Sequence, residues 1–233
     1  MGTRIALASG RPTYGLMPLA KILELGNYGG FIVSYNGCQI INAQNGEILF
    51  ERRINPEMLP YLEKKAHKNG FAIFTYHDDT LLTDSPNNEH IRTEAKLNNL
   101  KIIKEEDFSI AIDFAPCKCM LVSDDEEALT GLEEHWKRRL NGTLDVFRSE
   151  PYFLEVVPCG IDKANTLGAL LSHLNITREE VIAIGDGVCD VNMLQIAGLG
   201  IAMGHSQDSV KVCADYVLSL IHISEPTRPE PIS

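Results

Sequence analysis

Apolar positions in this chain come in short runs, and their period switches between two and 3.6 residues. Residues 4–7 read as a buried strand, 14–25 as an amphipathic helix stopped by Gly26, and 31–34 as another short strand. Residues 38–41 and 48–52, joined by Ala43-Gln44-Asn45-Gly46, read as a hairpin with an Asn-Gly turn. Asn55 followed by Pro56 marks the start of a helix over 56–69, since asparagine caps and proline suits the first helical position. A strand at 71–77, a polar loop with Asp78 and Asp79, a helix around 87–98, and strands at 109–115 and 117–123 follow. A charged helix over 125–139 and strands at 143–148 and 152–157 complete this stretch.

From residue 158 the alternation is regular: helix 162–174, strand 181–184, helix 190–197, strand 200–203, helix 206–213, strand 216–218. That order predicts a parallel, doubly wound sheet, and the fold class is α/β. The middle stretch mixes helices with hairpin-like strand spacing and predicts an α+β module. The expected organisation is a discontinuous core, 1–53 with 158–218, and an inserted domain, 54–157. Residues 219–233 break the pattern, because Pro226, Pro229 and Pro231 forbid helix continuation and remove backbone donors. This tail reads as non-native, and no function is assigned to it.

The run from Val181 to Asp190 ends an apolar strand in Gly185-Asp186 and brings a second carboxylate four residues on. Ligands of open α/β sheets sit outside the carboxyl ends of the strands. Two carboxylates there suit a hard cation such as Mg²⁺, which neutralises a phosphoryl group during transfer. Taken alone, the same residues equally suit the positive end of the following helix. Ala8-Ser9-Gly10-Arg11-Pro12 ends another apolar run in a hydroxyl and a glycine. Lys163 stands in the first turn of a helix, where the dipole opposes a cation, and so asks for an anionic partner. The Ser9 hydroxyl, the Gly10 N–H and the Lys163 ammonium can together hold one phosphate.

In chain order these segments resemble the haloacid dehalogenase superfamily of hydrolases, in its Cof-type branch (subfamily IIB) with a large α/β cap. Residues 8–12 are similar to the family's second motif, Gly160-Ile161-Asp162-Lys163-Ala164 to its third, and Gly185-Asp186 through Asp190 to its fourth. Asn36-Gly37, Tyr152-Phe153-Leu154-Glu155 and Gly200-Ile201-Ala202-Met203-Gly204 are similar to further family blocks, and the resemblance spans roughly residues 1–218. It implies a Mg²⁺-dependent phosphatase of small phosphorylated metabolites, such as sugar phosphates, acting through an aspartyl-phosphate. Carried over by motif, Ser9, Lys163, Asp186 and Asp190 are the catalytic set. Phosphate would be bound by Ser9, Gly10, Lys163 and the position of Cys189, and metal by Asp186 and Asp190. The core sheet is expected to bring Ser9, Lys163 and Asp186 to one edge. The inserted domain would be the cap that selects the substrate, with Asp78, Asp79 and Lys118 among its polar residues; each of these three reads more simply as a solvated or strand residue.

The departures are as informative. The family's first motif, Asp-x-Asp-Gly-Thr, supplies the nucleophile and the acid/base, and it occurs nowhere in these 233 residues. The expectation is an N-terminally truncated, inactive chain whose unpaired sheet edge favours poor solubility or dimerisation. Cys189 stands where the family usually has asparagine; a thiol is a weak donor and a poor Mg²⁺ ligand, so it is expected to pack as a small apolar residue. His205 also replaces a customary asparagine and reads as a loop residue. Two other readings stay open: a non-catalytic protein that binds a phosphorylated metabolite, and a phosphorelay receiver domain, which the motif order and the long insertion disfavour.

A formal net charge of −11 opposes nucleic-acid binding. The six cysteines, at 38, 117, 119, 159, 189 and 213, lack zinc-site spacing and read as reduced thiols of a cytoplasmic protein. There is no apolar run of roughly 18 residues and no signal peptide, so no membrane partner is expected. The glycines form no dinucleotide-binding fingerprint, and oligomeric state is left open.

Overall fold

The computed structural model describes residues 2–219. Expectations about Met1 and the tail beyond Ser219 lie outside the described residues. The chain divides into two compact units, residues 1–162 and 163–233.

In the first unit, β1 (Ala6–Ala8) runs parallel to β2 (Phe31–Ser34), and β3 (Gln39–Asn42) and β4 (Ile48–Glu51) extend the sheet antiparallel. Between β1 and β2 lies α1 (Thr13–Ile22). It stops before Gly26 because Glu24 adopts a left-handed φ of 50°. The Leu25 N–H then reaches Ala20 O and the Glu24 N–H reaches Lys21 O, closing the helix end, while Leu25 packs with Ala20 and Leu16. The β3–β4 turn places Gly46 at φ 76°, as an Asn-Gly hairpin requires.

The rest of this unit is a six-stranded sheet, ordered β7-β6-β5-β8-β10-β9. Its strands are β5 (Ala72–His77), β6 (Thr80–Thr83), β7 (Lys101–Lys104), β8 (Cys119–Val122), β9 (Leu144–Glu150) and β10 (Phe153–Pro158). Helices α2 (Leu59–Lys68), α3 (Glu89–Leu97) and α5 (Glu126–Arg139) fall within the expected helical stretches. Asn55 accepts the Glu57 N–H ahead of a 3₁₀ turn that leads into α2, and Asn88 accepts the His90 and Ile91 N–H groups. Asp125 caps α5, whose last turn carries Lys137, Arg138 and Arg139 against the negative helix end. Leu129, Leu132 and Trp136 of α5 join Leu62, Ile73 and Leu154 in the main core.

Two expectations fail here. Residues 109–115 are not a strand: α4 (Phe108–Ala111) forms instead, since Phe108 and Ile112, four apart, are both buried. Glu63 fixes it by accepting the Ser109 N–H and hydroxyl. Asp78 and Asp79 form a tight turn rather than a long loop, with Asp78 at φ 48°, and the strands β6 and β7 follow where none was expected. Both new strands are only four residues long, too short for period-two alternation to show.

In the second unit, α6 (Lys163–Leu174) leads to β11 (Ile182–Gly185), α7 (Val191–Ile196), β12 (Leu199–Met203), α8 (Asp208–Lys211) and β13 (Tyr216–Leu218). The three strands are parallel in the order β11-β12-β13, as the alternation predicts. β11 ends this sheet, and its Ile182 and Ile184 are 63% and 54% exposed. Among the described residues, no helix is long and apolar enough to cross a membrane.

Burial pushes the thiols of Cys117 and Cys119 up to about 12, and raises that of Cys38 too, whereas Cys159 is exposed. Because the thiolate is the nucleophile, Cys159 is expected to react with iodoacetamide at pH 8 at least about tenfold faster than these three. Mass spectrometry of partly alkylated protein checks this. Their contribution to stability is fully present below the ordinary thiol value of 9.0 and is lost as pH rises from there towards about 12.

Candidate active site

The end of β11 is shaped around one carboxylate. Asp190 lies in a 3₁₀ turn, Val188–Asp190, that returns its side chain to the strand end. Its Oδ2 accepts the N–H groups of Asp186 (3.1 Å) and Gly187 (3.0 Å). Its Oδ1 lies 2.5 Å from Lys163 Nζ, and both side chains are almost fully buried. The approach demands glycine at 185: a Cβ there would stand 2.5 Å from Asp190 Cβ.

Burial alone would lower the Lys163 pKa, but the nearby Cys189 sulfur and the hydrogen bond and charge of Asp190 outweigh it and hold it above its ordinary value. Burial likewise favours the neutral acid at Asp190; the Lys163 hydrogen bond and charge, with the Gly187 and Asp186 donors, reverse this and hold it low. The anionic partner that a lysine at a helix start demands is therefore a carboxylate of the protein itself. Cys189 is exposed rather than packed as a small apolar residue, with its Sγ 3.6 Å from Lys163 Nζ. Asp186 differs from Asp190, since its carboxylate is well exposed and meets His205 Nε2 at 3.3 Å. His205, expected as a loop residue, thus pairs with Asp186, a contact across 19 positions that sequence spacing does not signal.

Ser9 and Gly10 belong to the first unit, in the turn that follows β1. The Ser9 N–H bonds Val33 O, its carbonyl accepts the Asn36 N–H, and its Oγ accepts the Arg11 N–H. Gly10 sits so close to Asn36 that a Cβ would lie 2.7 Å from Asn36 Oδ1. Lys118, named among the polar residues of the inserted domain but read more simply as a solvated or strand residue, is instead buried against this turn. It is 3% exposed, and its Nζ donates to Gly10 O (2.9 Å) and to Glu155 Oε2 (3.1 Å). Glu155 also accepts Asn36 Nδ2 at 2.7 Å. Asp78 and Asp79 remain at the β5–β6 turn, where Asp79 pairs with Lys101 at the surface.

The profile of the haloacid dehalogenase-like hydrolases matches residues 1–222. The chain belongs to that family. This membership sets aside the receiver-domain reading. The hydrolase is 30% identical over 220 residues to 5-amino-6-(5-phospho-D-ribitylamino)uracil phosphatase YcsE of Bacillus subtilis, covering 93% of this chain and 76% of that one. It is 26% identical over 226 residues to the chloroplastic endoribonuclease YBEY of Arabidopsis thaliana, but spans only 38% of that protein's length. A solved haloacid dehalogenase-like hydrolase from Bacteroides thetaiotaomicron shares 45% identity and a TM-score of 0.89, over 94% of this chain and 82% of that one.

Removing one member of a buried pair strands the other charge. Asp190→Asn is expected to destabilise the hydrolase by about 3 kcal/mol, and Lys163→Met/Asp190→Asn by clearly less than the sum of the single changes. Urea unfolding of the four proteins of this cycle checks it.

Proposed function

We propose that this hydrolase is built for phosphomonoesters of small metabolites, with Lys163 the phosphate-holding group of the second unit and Ser9 and Gly10 those of the first. The observation that carries this reading is the buried Lys163 ammonium, held by Asp190, whose other oxygen takes the Asp186 N–H. A phosphatase relative 30% identical over 220 residues supports the ester class. In the second unit Lys163, held charged by Asp190, suits a phosphate dianion, and in the first the Ser9 hydroxyl and turn N–H groups suit phosphate oxygens. A net charge of −11 and the family's small substrates leave nucleic acid outside the reading, and the free thiols suit a cytoplasmic setting.

The donor set fits Mg²⁺. Mg²⁺ is bound through one or two carboxylates together with water and substrate phosphate, so two aspartates suffice. Asp186 offers exposed oxygens, whereas three donors already engage Asp190, leaving it the lesser ligand and chiefly the anchor of the loop. When bound, Mg²⁺ would neutralise charge on the phosphoryl group. The family route through an aspartyl-phosphate needs the carboxylates of Asp-x-Asp-Gly-Thr, which these 233 residues do not contain. We therefore infer binding without turnover for this chain. The thiol of Cys189, a weak donor in place of an amide, favours the related reading of a non-catalytic phosphometabolite binder.

Calorimetric titration with inorganic phosphate in the presence of Mg²⁺ is expected to show saturable binding that Lys163→Met weakens at least about tenfold, roughly 1.4 kcal/mol. p-Nitrophenyl phosphate is expected to release no phosphate above a buffer control. Absence of phosphate binding would overturn the site assignment, and release of phosphate the inference of inactivity.

A further inference from the structure

The Lys118–Glu155 pair in the first unit has no role in the chemistry described so far, yet it is among the most costly arrangements in the chain. Both side chains are buried, 3% and 6% exposed, and two desolvated charges rarely add stability over a well-packed apolar pair. What the pair touches shows its use. The Ser9–Gly10–Arg11 turn points all three carbonyls inward, each onto a fixed donor. Ser9 O takes the Asn36 N–H at 3.0 Å, Arg11 O the Tyr35 N–H at 2.9 Å, and Gly10 O the Lys118 ammonium at 2.9 Å.

Those backbone donors exist only because Tyr35, Asn36 and Gly37 stand consecutively at φ 52°, 59° and 109°. Left-handed backbone at two non-glycine residues is costly unless the surroundings hold it. Glu155 does so, gripping Asn36 Nδ2 with the oxygen that also binds Lys118. With its carbonyls pinned on one side, the turn keeps the Ser9 hydroxyl and the Gly10 N–H for the other. Among the described residues, the Gly10 N–H donates to no protein acceptor.

We propose that Lys118 and Glu155 are positioning residues, which lock the carbonyl face of the Ser9–Arg11 turn so that its hydroxyl and N–H face is set for an anionic phosphate oxygen. This rests on the phosphate reading of Ser9 and Gly10 and names how that subsite is set. Lys118, just before β8, and Glu155 in β10, far along the chain, thereby control a turn at its start.

The test follows the Gly10 and Arg11 amide resonances by NMR, with and without inorganic phosphate. The proteins are the native chain, Lys118→Met, Lys118→Arg, Ser9→Ala and the doubly neutral Lys118→Met/Glu155→Gln. The double variant leaves no stranded charge and guards against simple misfolding. Both Lys118→Met and the double variant are expected to move the two amides before phosphate is added and to weaken phosphate binding at least about tenfold, roughly 1.4 kcal/mol. Lys118→Arg, which keeps a donor for Gly10 O, is expected to restore most of that affinity. Native amide positions and native affinity in the folded double variant would overturn the proposal. Unchanged affinity in Ser9→Ala would instead overturn the phosphate reading of the turn, with the phosphate-free amide positions still deciding the positioning role.

Discussion

A buried ammonium must be matched by a carboxylate, and this hydrolase meets that constraint twice, each time at the end of a strand. Lys163 and Asp190 lie within 2.5 Å in the second unit, and Lys118 and Glu155 within 3.1 Å in the first. In neither case does the carboxylate serve the lysine alone. Asp190 also gathers two backbone N–H groups, and Glu155 also gathers the Asn36 amide. A desolvated carboxylate has several lone pairs to satisfy, so each becomes the point where a loop is fixed.

This division of labour explains why two aspartates four residues apart differ. Asp190 is buried, paired and held ionised, while Asp186 is exposed and keeps its oxygens available. Environment rather than residue type assigns the roles. The glycines follow from the same geometry, since Gly185 and Gly10 stand where a methyl group would collide with Asp190 and Asn36. A side chain packed this closely against a turn leaves room only for glycine.

Much of this was legible along the chain. The helix start at Asn55 was signalled by its capping residue, because a cap is a local hydrogen bond. The parallel order β11-β12-β13 followed from the alternation of elements. Errors arose where local signals were short or misleading. The helix at Phe108 was missed because its burial at 108 and 112 is imposed by a core formed elsewhere, and α1 ended at Ile22, short of Leu25, because non-glycine Glu24 took the left-handed position.

The sequence by itself determined the family, the α/β class and the candidacy of Ser9, Gly10, Lys163, Asp186 and Asp190, since these rest on residue type, order and spacing. Only the tertiary structure decided the partners. It joined Lys163 to Asp190 across 27 positions, set His205 against Asp186, and carried Lys118 over 108 positions to the Gly10 carbonyl. Spacing along a chain cannot report such pairs, because it is the closing of the sheets, followed by the need to neutralise whatever charge they bury, that selects them.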